Sequence, residues 1–379
     1  MRLAVGTLTL ATGLIVALGL TMLHSLGMHD PKGLASFYQQ TRWLGVGMVG
    51  CLLAVAIDYR RTRMLAYAFL VAMAVCLILA RTPGIGQEIK GGWRWLKLGS
   101  ISFQPSEFAK LALIMSIAAY SDSCQRLLKR PLYGLVFPGA VIGVVLVLIL
   151  AGKDLGTTAL MSLLSAAMLF AAGTRLRHLV PVGLVVAVGL GAYLATDTVR
   201  WRRVDAFLHP ERYEETIAMQ SEQSKIAIGS GGPFGRGLGN GIHKSGYVPE
   251  QKTDFIFSVI GEELGLRVTL PLLFAYAAFS LAALAIARRA TDTYGALIAF
   301  GGGMLVGAQA VINIAVTTGS VPNKGLALPF VSYGGTCLVA MLTLVGLILN
   351  VAIRSSRDDE AADLPESTDR EMSVFQGAS

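Results

Sequence analysis

Long apolar runs alternate with short polar connections along this chain, and the runs set its architecture. Ten segments are apolar over close to the ~20 residues that span a bilayer as helix: roughly 4–26, 40–57, 64–80, 106–121, 133–151, 156–173, 178–196, 264–287, 294–318 and 334–353. In lipid only a helix closes all its backbone hydrogen bonds within one segment, so the pattern predicts an all-α integral membrane protein of about ten transmembrane helices. One connection breaks the rhythm. Residues from about 197 to 263 form a large polar loop between the seventh and eighth spans. The expected organisation is a polytopic membrane domain over 1–355 and a polar, acidic, disordered tail over 356–379.

Charge decides orientation more than it names a partner. The sequence is 54% hydrophobic and 15% charged, with a net charge of +8. Its basic residues gather in alternate connections: Arg60, Arg61 and Arg63; Arg126, Lys129 and Arg130; Arg175 and Arg177; Arg288 and Arg289; Arg354 and Arg357. These fall on the same side as Arg2, which makes that side and both termini cytoplasmic. The 197–263 loop then faces outward with the connections at 81–105 and 319–333. Topology accounts for the basic excess, so no nucleic-acid partner is implied. The first span directly follows Met1-Arg2 and lacks a small-residue cleavage region, which predicts an uncleaved anchor. Cys51, Cys76 and Cys337 lie in spans and Cys124 in a cytoplasmic connection, without metal or disulfide spacing.

The candidate chemistry sits on the outward side. In GGWRWLKLGSISFQPSEFAK, residues 91–110, Trp93 and Trp95 flank Arg94 as an interfacial belt would. That reading leaves Glu107 and Lys110 unexplained. They stand one turn apart on one helix face, where both are costly unless they pair or line a wet cavity. Lys153 and Asp154 form a short outer turn, with Asp154 placed to cap the sixth span and to add a second acid to that face. The large loop carries Arg203, Lys225, Lys244, Glu262 and a run of glycines from Gly229 to Gly241. Those glycines permit close backbone approach and an anion nest. No Walker A motif accompanies them, which argues against a nucleotide-driven pump. Asp254, in TDFIF, has two readings: the N-cap of the helix that follows, or a carboxylate partly withdrawn from water, as suits a general base. In the last outer connection, residues 317–336, Pro322, Gly325, Pro329 and Gly334-Gly335 force irregular backbone near membrane depth. Such backbone is tolerated when buried or when it lines a cavity, which Lys324, Ser332 and Tyr333 are candidates to face.

Five segments in order, GWRWLKLGSISFQPSEFAK, GKDLGTT, QSKIAIGSGGPFGRGLGNG, YVPEQKTDFIFSVIGEELG and VPNKGLALPFVSYGGT, resemble the SEDS family (shape, elongation, division and sporulation) of membrane peptidoglycan polymerases. The likeness runs over nearly all of residues 1–355, and RRVDAFLHPE and PNKG resemble the FtsW division branch more than the RodA elongation branch. Thr336-Cys337 departs from the serine pair usual there. The resemblance implies a ten-helix fold and polymerisation of lipid II into glycan strands at the outer face of the bacterial cytoplasmic membrane. It implies an inverting transfer with Asp254 as catalytic base and release of undecaprenyl diphosphate. Arg94, Lys110, Arg203, Lys225 and Lys244 are candidates to neutralise the diphosphate; Gln104, Glu107, Lys153, Asp154, Glu262, Lys324 and Ser332 complete the expected substrate contacts. A divalent cation, magnesium or manganese, is expected on Asp154 and Glu107, with no nucleotide. Expected partners are lipid II, undecaprenyl diphosphate-linked glycan, a class B penicillin-binding protein transpeptidase and other divisome membrane proteins at the division septum. Two alternatives use the same residues: a lipid II flippase, or a scaffold that recruits a partner through small-residue helix faces. The flippase needs polar groups through both leaflets, whereas the notable charges cluster at the outer one.

Overall fold

The computed structural model describes residues 1–28, 31–89, 91–99, 101–196, 198–209, 212, 217–242, 251–323 and 325–362. The chain opens with α1 (Arg2–Gly27), α2 (Pro31–Ala56) and α3 (Tyr59–Leu79). Then come α4 (Pro105–Ser123), a π-helical turn (Leu132–Val136) running into α5 (Phe137–Ala151), α6 (Leu155–Ala171) and α7 (Leu176–Thr196). Three shorter helices follow: α8 (Thr198–Leu208), α9 (Ile217–Gly231) and α10 (Ile256–Leu264). Finally α11 (Leu266–Arg288), α12 (Thr293–Thr317) and α13 (Gly335–Ala362) complete the bundle. Each apolar segment read from the sequence falls on one of these helices. Seven segments, those of α1, α3, α5, α7, α11, α12 and α13, are long and apolar enough to cross a membrane, and α6 is a shorter apolar helix. The protein is a multi-pass α-helical membrane protein.

The two remaining segments are instructive. α2 carries Gln39, Gln40 and Arg42 in its first half, and α4 holds Glu107, Lys110 and Asp122. Yet α4 is largely enclosed by protein. Nearly every residue from Pro105 to Ser121 is buried, against α3, α5, α6, α12 and α13. A helix surrounded by protein meets little lipid, so its hydropathy need not match a bilayer.

Two details go beyond the sequence reading. The connection at 81–105, read only as an outward loop, folds into an antiparallel sheet ordered β1-β2-β3, of β1 (Gly86–Ile89), β2 (Gly92–Leu98) and β3 (Ile101–Phe103). Alternation in GWRWLKL is the strand signal that the tryptophan-belt reading passed over. Also, α13 continues as helix to Ala362, past residue 355 where the membrane domain was expected to end; residues 363–379 lie outside the described residues.

The basic connections converge at one end of the bundle. Arg60 pairs with Asp292 at 3.4 Å and with Asp358, and Arg63 pairs with Asp122 and donates to Ser123 at 3.0 Å. Nearby, Asn350 Nδ2 donates to the Ala54, Val55 and Ile57 carbonyls, satisfying the C-terminal end of α2. At the opposite end lie the sheet, the α5–α6 turn, α9, α10 and the 318–334 connection.

Candidate functional site

Asp254 sits in a turn, residues 251–255, ahead of α10. The helix takes Phe255 as its N-cap, without a side-chain cap, so the capping reading of Asp254 does not hold. The half-buried carboxylate projects from a backbone pinned on every side. Three successive carbonyls accept tertiary hydrogen bonds: Lys252 from Tyr333 N (2.8 Å), Thr253 from Ser332 Oγ (2.6 Å) and Asp254 from Asn313 Nδ2 (2.8 Å). Phe255 below them packs with Val316 and Val321. A non-helical turn so satisfied holds its side chain where a reaction needs it.

The partner strand of this turn is the 325–334 connection. Ser332 Oγ also accepts from Leu328 N at 2.7 Å, so this hydroxyl is a staple between two backbone segments and does not face a cavity. Gly325 is required by proximity: a Cβ there would stand 2.9 Å from Asp254 Oδ2. Tyr276 donates to the Pro329 carbonyl at 2.5 Å, and Tyr333 to Gln39 at 2.6 Å. Burial pushes the Tyr333 phenol above its usual value, which keeps that proton in place. The described non-glycine residues with positive φ are Lys153 and Phe330, both in outer connections beside this site.

Glu107 and Lys110 lie inside the bundle as a salt bridge of 2.8 Å, with side chains 9% and 1% exposed. Lys110 also donates to Gln309 Oε1 at 3.1 Å. Its ammonium is thus enclosed by protein. Across α4, Arg94 on β2 faces Asp154 at 3.7 Å, and Asp154 caps α6 by accepting from Thr157 N at 3.1 Å. Arg94, Asp154, Trp93, Ser106 and Gly152 line a small cleft with Leu77, Leu148 and Ile149. Gln104 is the N-cap of α4, its N–H donating to Thr336 Oγ1 at 3.4 Å. Lys153 is exposed on the adjoining turn.

The glycine-rich stretch turns out differently from an anion nest. A Cβ on Gly231 would lie 2.0 Å from the Gly261 carbonyl, and one on Gly235 2.3 Å from that of Glu263. Arg236 and Gly237 donate to the Glu262 and Glu263 carbonyls, each at 2.9 Å. The buried Glu262 carboxylate accepts from Ile242 N at 2.8 Å, and Glu263 from Ser25 and from Gly239 N at 3.2 Å. These glycines let the loop close onto α10, and Glu262 grips that loop. Lys225 on α9 pairs with Glu222 at 2.5 Å and lies against Gly319, while Arg203 is exposed on α8. Lys244 and Lys324 lie outside the described residues.

Glu107 and Asp154, the carboxylates expected to hold a divalent cation, each face a cationic side chain, and no group of three His, Cys, Asp or Glu side chains suited to a metal occurs among the described residues. Two residues that sequence reasoning missed are Gln309 and Asn313, polar positions inside the apolar run of α12. Gln309 Nε2 donates to the Ala327 carbonyl at 2.8 Å, and Asn313 Nδ2 to that of Leu326 at 2.7 Å. Their spacing of four along a membrane helix was the available signal.

With this geometry in hand, comparison with known proteins is specific. The family model described as "Cell cycle protein", for FtsW, RodA and SpoVE, matches residues 1–357. The chain is 42% identical over 308 residues to the probable peptidoglycan glycosyltransferase FtsW of Trichlorobacter lovleyi, covering 81% of each protein. It is 34% identical to stage V sporulation protein E of Bacillus subtilis, over 91% of this chain and 96% of that protein. Among solved structures, it superposes with TM-score 0.75 and 29% identity on a chain of a peptidoglycan synthase complex that coordinates polymerization and crosslinking, covering 92% of this chain and 97% of that one. The rod shape determining protein RodA of Thermus thermophilus gives TM-score 0.68 at 29% identity, over 92% and 96%.

Proposed function

The chain belongs to the FtsW/RodA/SpoVE family, and on that premise we propose that it is a peptidoglycan glycosyltransferase that polymerises lipid II, with Asp254 as its base. The observation that carries this reading is the half-buried Asp254 carboxylate, held on a turn whose three successive carbonyls accept tertiary hydrogen bonds. Asp254 takes the proton from the 4-hydroxyl of the acceptor GlcNAc. That oxygen bonds to the anomeric carbon of the MurNAc donor as the bond to the diphosphate breaks, with inversion. Undecaprenyl diphosphate leaves with its electron pair. Arg94, Arg203 and Lys225 are accessible cations for the departing charge. The enclosed Glu107–Lys110 pair supplies a fixed field within the bundle. In this reading a magnesium or manganese ion travels with the substrate diphosphate, and no step runs through an ion on Glu107 and Asp154.

The protein works in the cytoplasmic membrane with both termini inside. The basic residues gathered at one bundle end, opposite Asp254, support this orientation. The FtsW relatives at about 40% identity support a role in septal synthesis over elongation, and the synthase-complex neighbour supports a crosslinking partner of the class B penicillin-binding type. The test is polymerisation of purified lipid II by the solubilised protein with that partner, wild type beside Asp254→Ala. Glycan strands from wild type alone are expected. Equal product from both removes Asp254 from the chemistry, and no product from either, with lipid II crossing vesicles, favours the flippase.

A further inference from the structure

We propose that Asn313 and Gln309 are positioning residues of the transfer reaction, two amides that set the Asp254 turn in register with the Glu107–Lys110 pair. The inference rests on Asp254 being the base. A primary amide inside a membrane helix is unfavourable unless its polar atoms are used. On α12 the two amides stand four residues apart, on one face, each 1% exposed. Asn313 spends its Nδ2 donors on two segments at once, the Asp254 carbonyl at 2.8 Å and the Leu326 carbonyl at 2.7 Å. One turn earlier, Gln309 Nε2 donates to the Ala327 carbonyl at 2.8 Å and its Oε1 accepts from Lys110 Nζ at 3.1 Å.

The four contacts tie three parts of the chain to one face of α12: the turn that presents the base, the connection whose Gly325 leaves room for the carboxylate, and the cation within α4. They add to the Tyr333 and Ser332 hydrogen bonds that already join the turn to that connection. A helix rises about 1.5 Å per residue, so the two levels are fixed about 6 Å apart. The buried Asn313 Oδ1 has no hydrogen-bond partner among the described residues, whereas both Nδ2 donors are used. Neither amide lines the cleft beside Arg94.

The experiment measures kcat and KM for lipid II, per monodisperse molecule of the complex with its transpeptidase partner. It compares wild type, Asn313→Ala, Asn313→Ser, Gln309→Leu and Asp254→Ala. A base displaced by a fraction of an ångström loses rate and not substrate affinity. Asn313→Ala and Gln309→Leu are therefore expected to lower kcat about 10- to 100-fold with KM within about twofold. Asn313→Ser, with one donor in place of two, should fall between Asn313→Ala and wild type. Wild-type kcat in both Asn313→Ala and Gln309→Leu, beside an inactive Asp254→Ala, overturns the inference and leaves the proposed function standing. Full activity in Asp254→Ala overturns both, since no base is then left to position. A loss that appears only in KM, or that disappears once misfolded protein is removed, overturns the positioning role.

Discussion

Two irregular segments at the same end of the bundle use their polar groups in opposite ways. In the glycine-rich stretch, residues 229–242, backbone amides are consumed by packing. They feed the Glu262 and Glu263 carboxylates and carbonyls, and the glycines admit the α10 backbone. In the 251–255 turn three backbone carbonyls are tied down by other segments, and a half-buried carboxylate stands beside Gly325. Charged residues near glycines are thus not a sufficient mark of a reaction centre. What separates the two is whether the acid itself closes the fold, as Glu262 and Glu263 do, or whether other groups close it around the acid.

The largest effect should come from Asp254→Asn, which keeps the shape and removes the base. Turnover on lipid II should fall about 10²- to 10⁴-fold with an unchanged melting temperature. A comparable fall in Glu262→Gln, at unchanged stability, would erase the distinction. Next, Lys110→Ala leaves a buried carboxylate unpaired and should cost about 3–5 kcal/mol of stability, read by thermal unfolding in detergent. Adding Glu107→Gln should recover part of that stability without recovering activity.

Smaller and more discriminating is a pair of alanine substitutions. Gly231→Ala drives a methyl into a backbone carbonyl and should destabilise the protein by about 1–3 kcal/mol, with turnover per folded molecule retained. Gly325→Ala presses on the movable Asp254 carboxylate and should do the reverse, lowering turnover about tenfold or more at near-normal stability. Swapped outcomes would reverse the assignment of the two segments. The smallest effect is expected for Lys225→Ala. Its ion pair with Glu222 is nearly half exposed on both sides, so stability should change by less than about 1 kcal/mol. A rise in KM alone would mark Lys225 as a diphosphate contact.

The bundle was legible because lipid imposes one rule on every span, and apolar length reports it directly. α4 was found despite Glu107 and Lys110, whose spacing also announced their pairing. Asp154 was read correctly as the cap of α6. The sheet at 86–103 was hidden because its alternation is short and shares its tryptophans with an interfacial belt. The backbone bonds of Ser332 and Glu262 were not legible, because a sequence shows that a polar group exists and not which backbone atom it serves. Gln309 and Asn313 were missed for the converse reason: two amides barely disturb an apolar run, and the carbonyls they meet lie up to 59 residues away.

The burial of α4 also bears on how the protein is made. This helix leaves the ribosome in the first third of the chain, yet two of its walls, α12 and α13, are synthesised last. Gln309, which helps hold Lys110, is added 199 positions later. For most of translation α4 therefore has only its own Glu107 and the early helices to shelter its ammonium. A newly inserted chain must keep a central charged helix in the membrane with two sides open, and its biogenesis closes only when the C-terminal helices arrive.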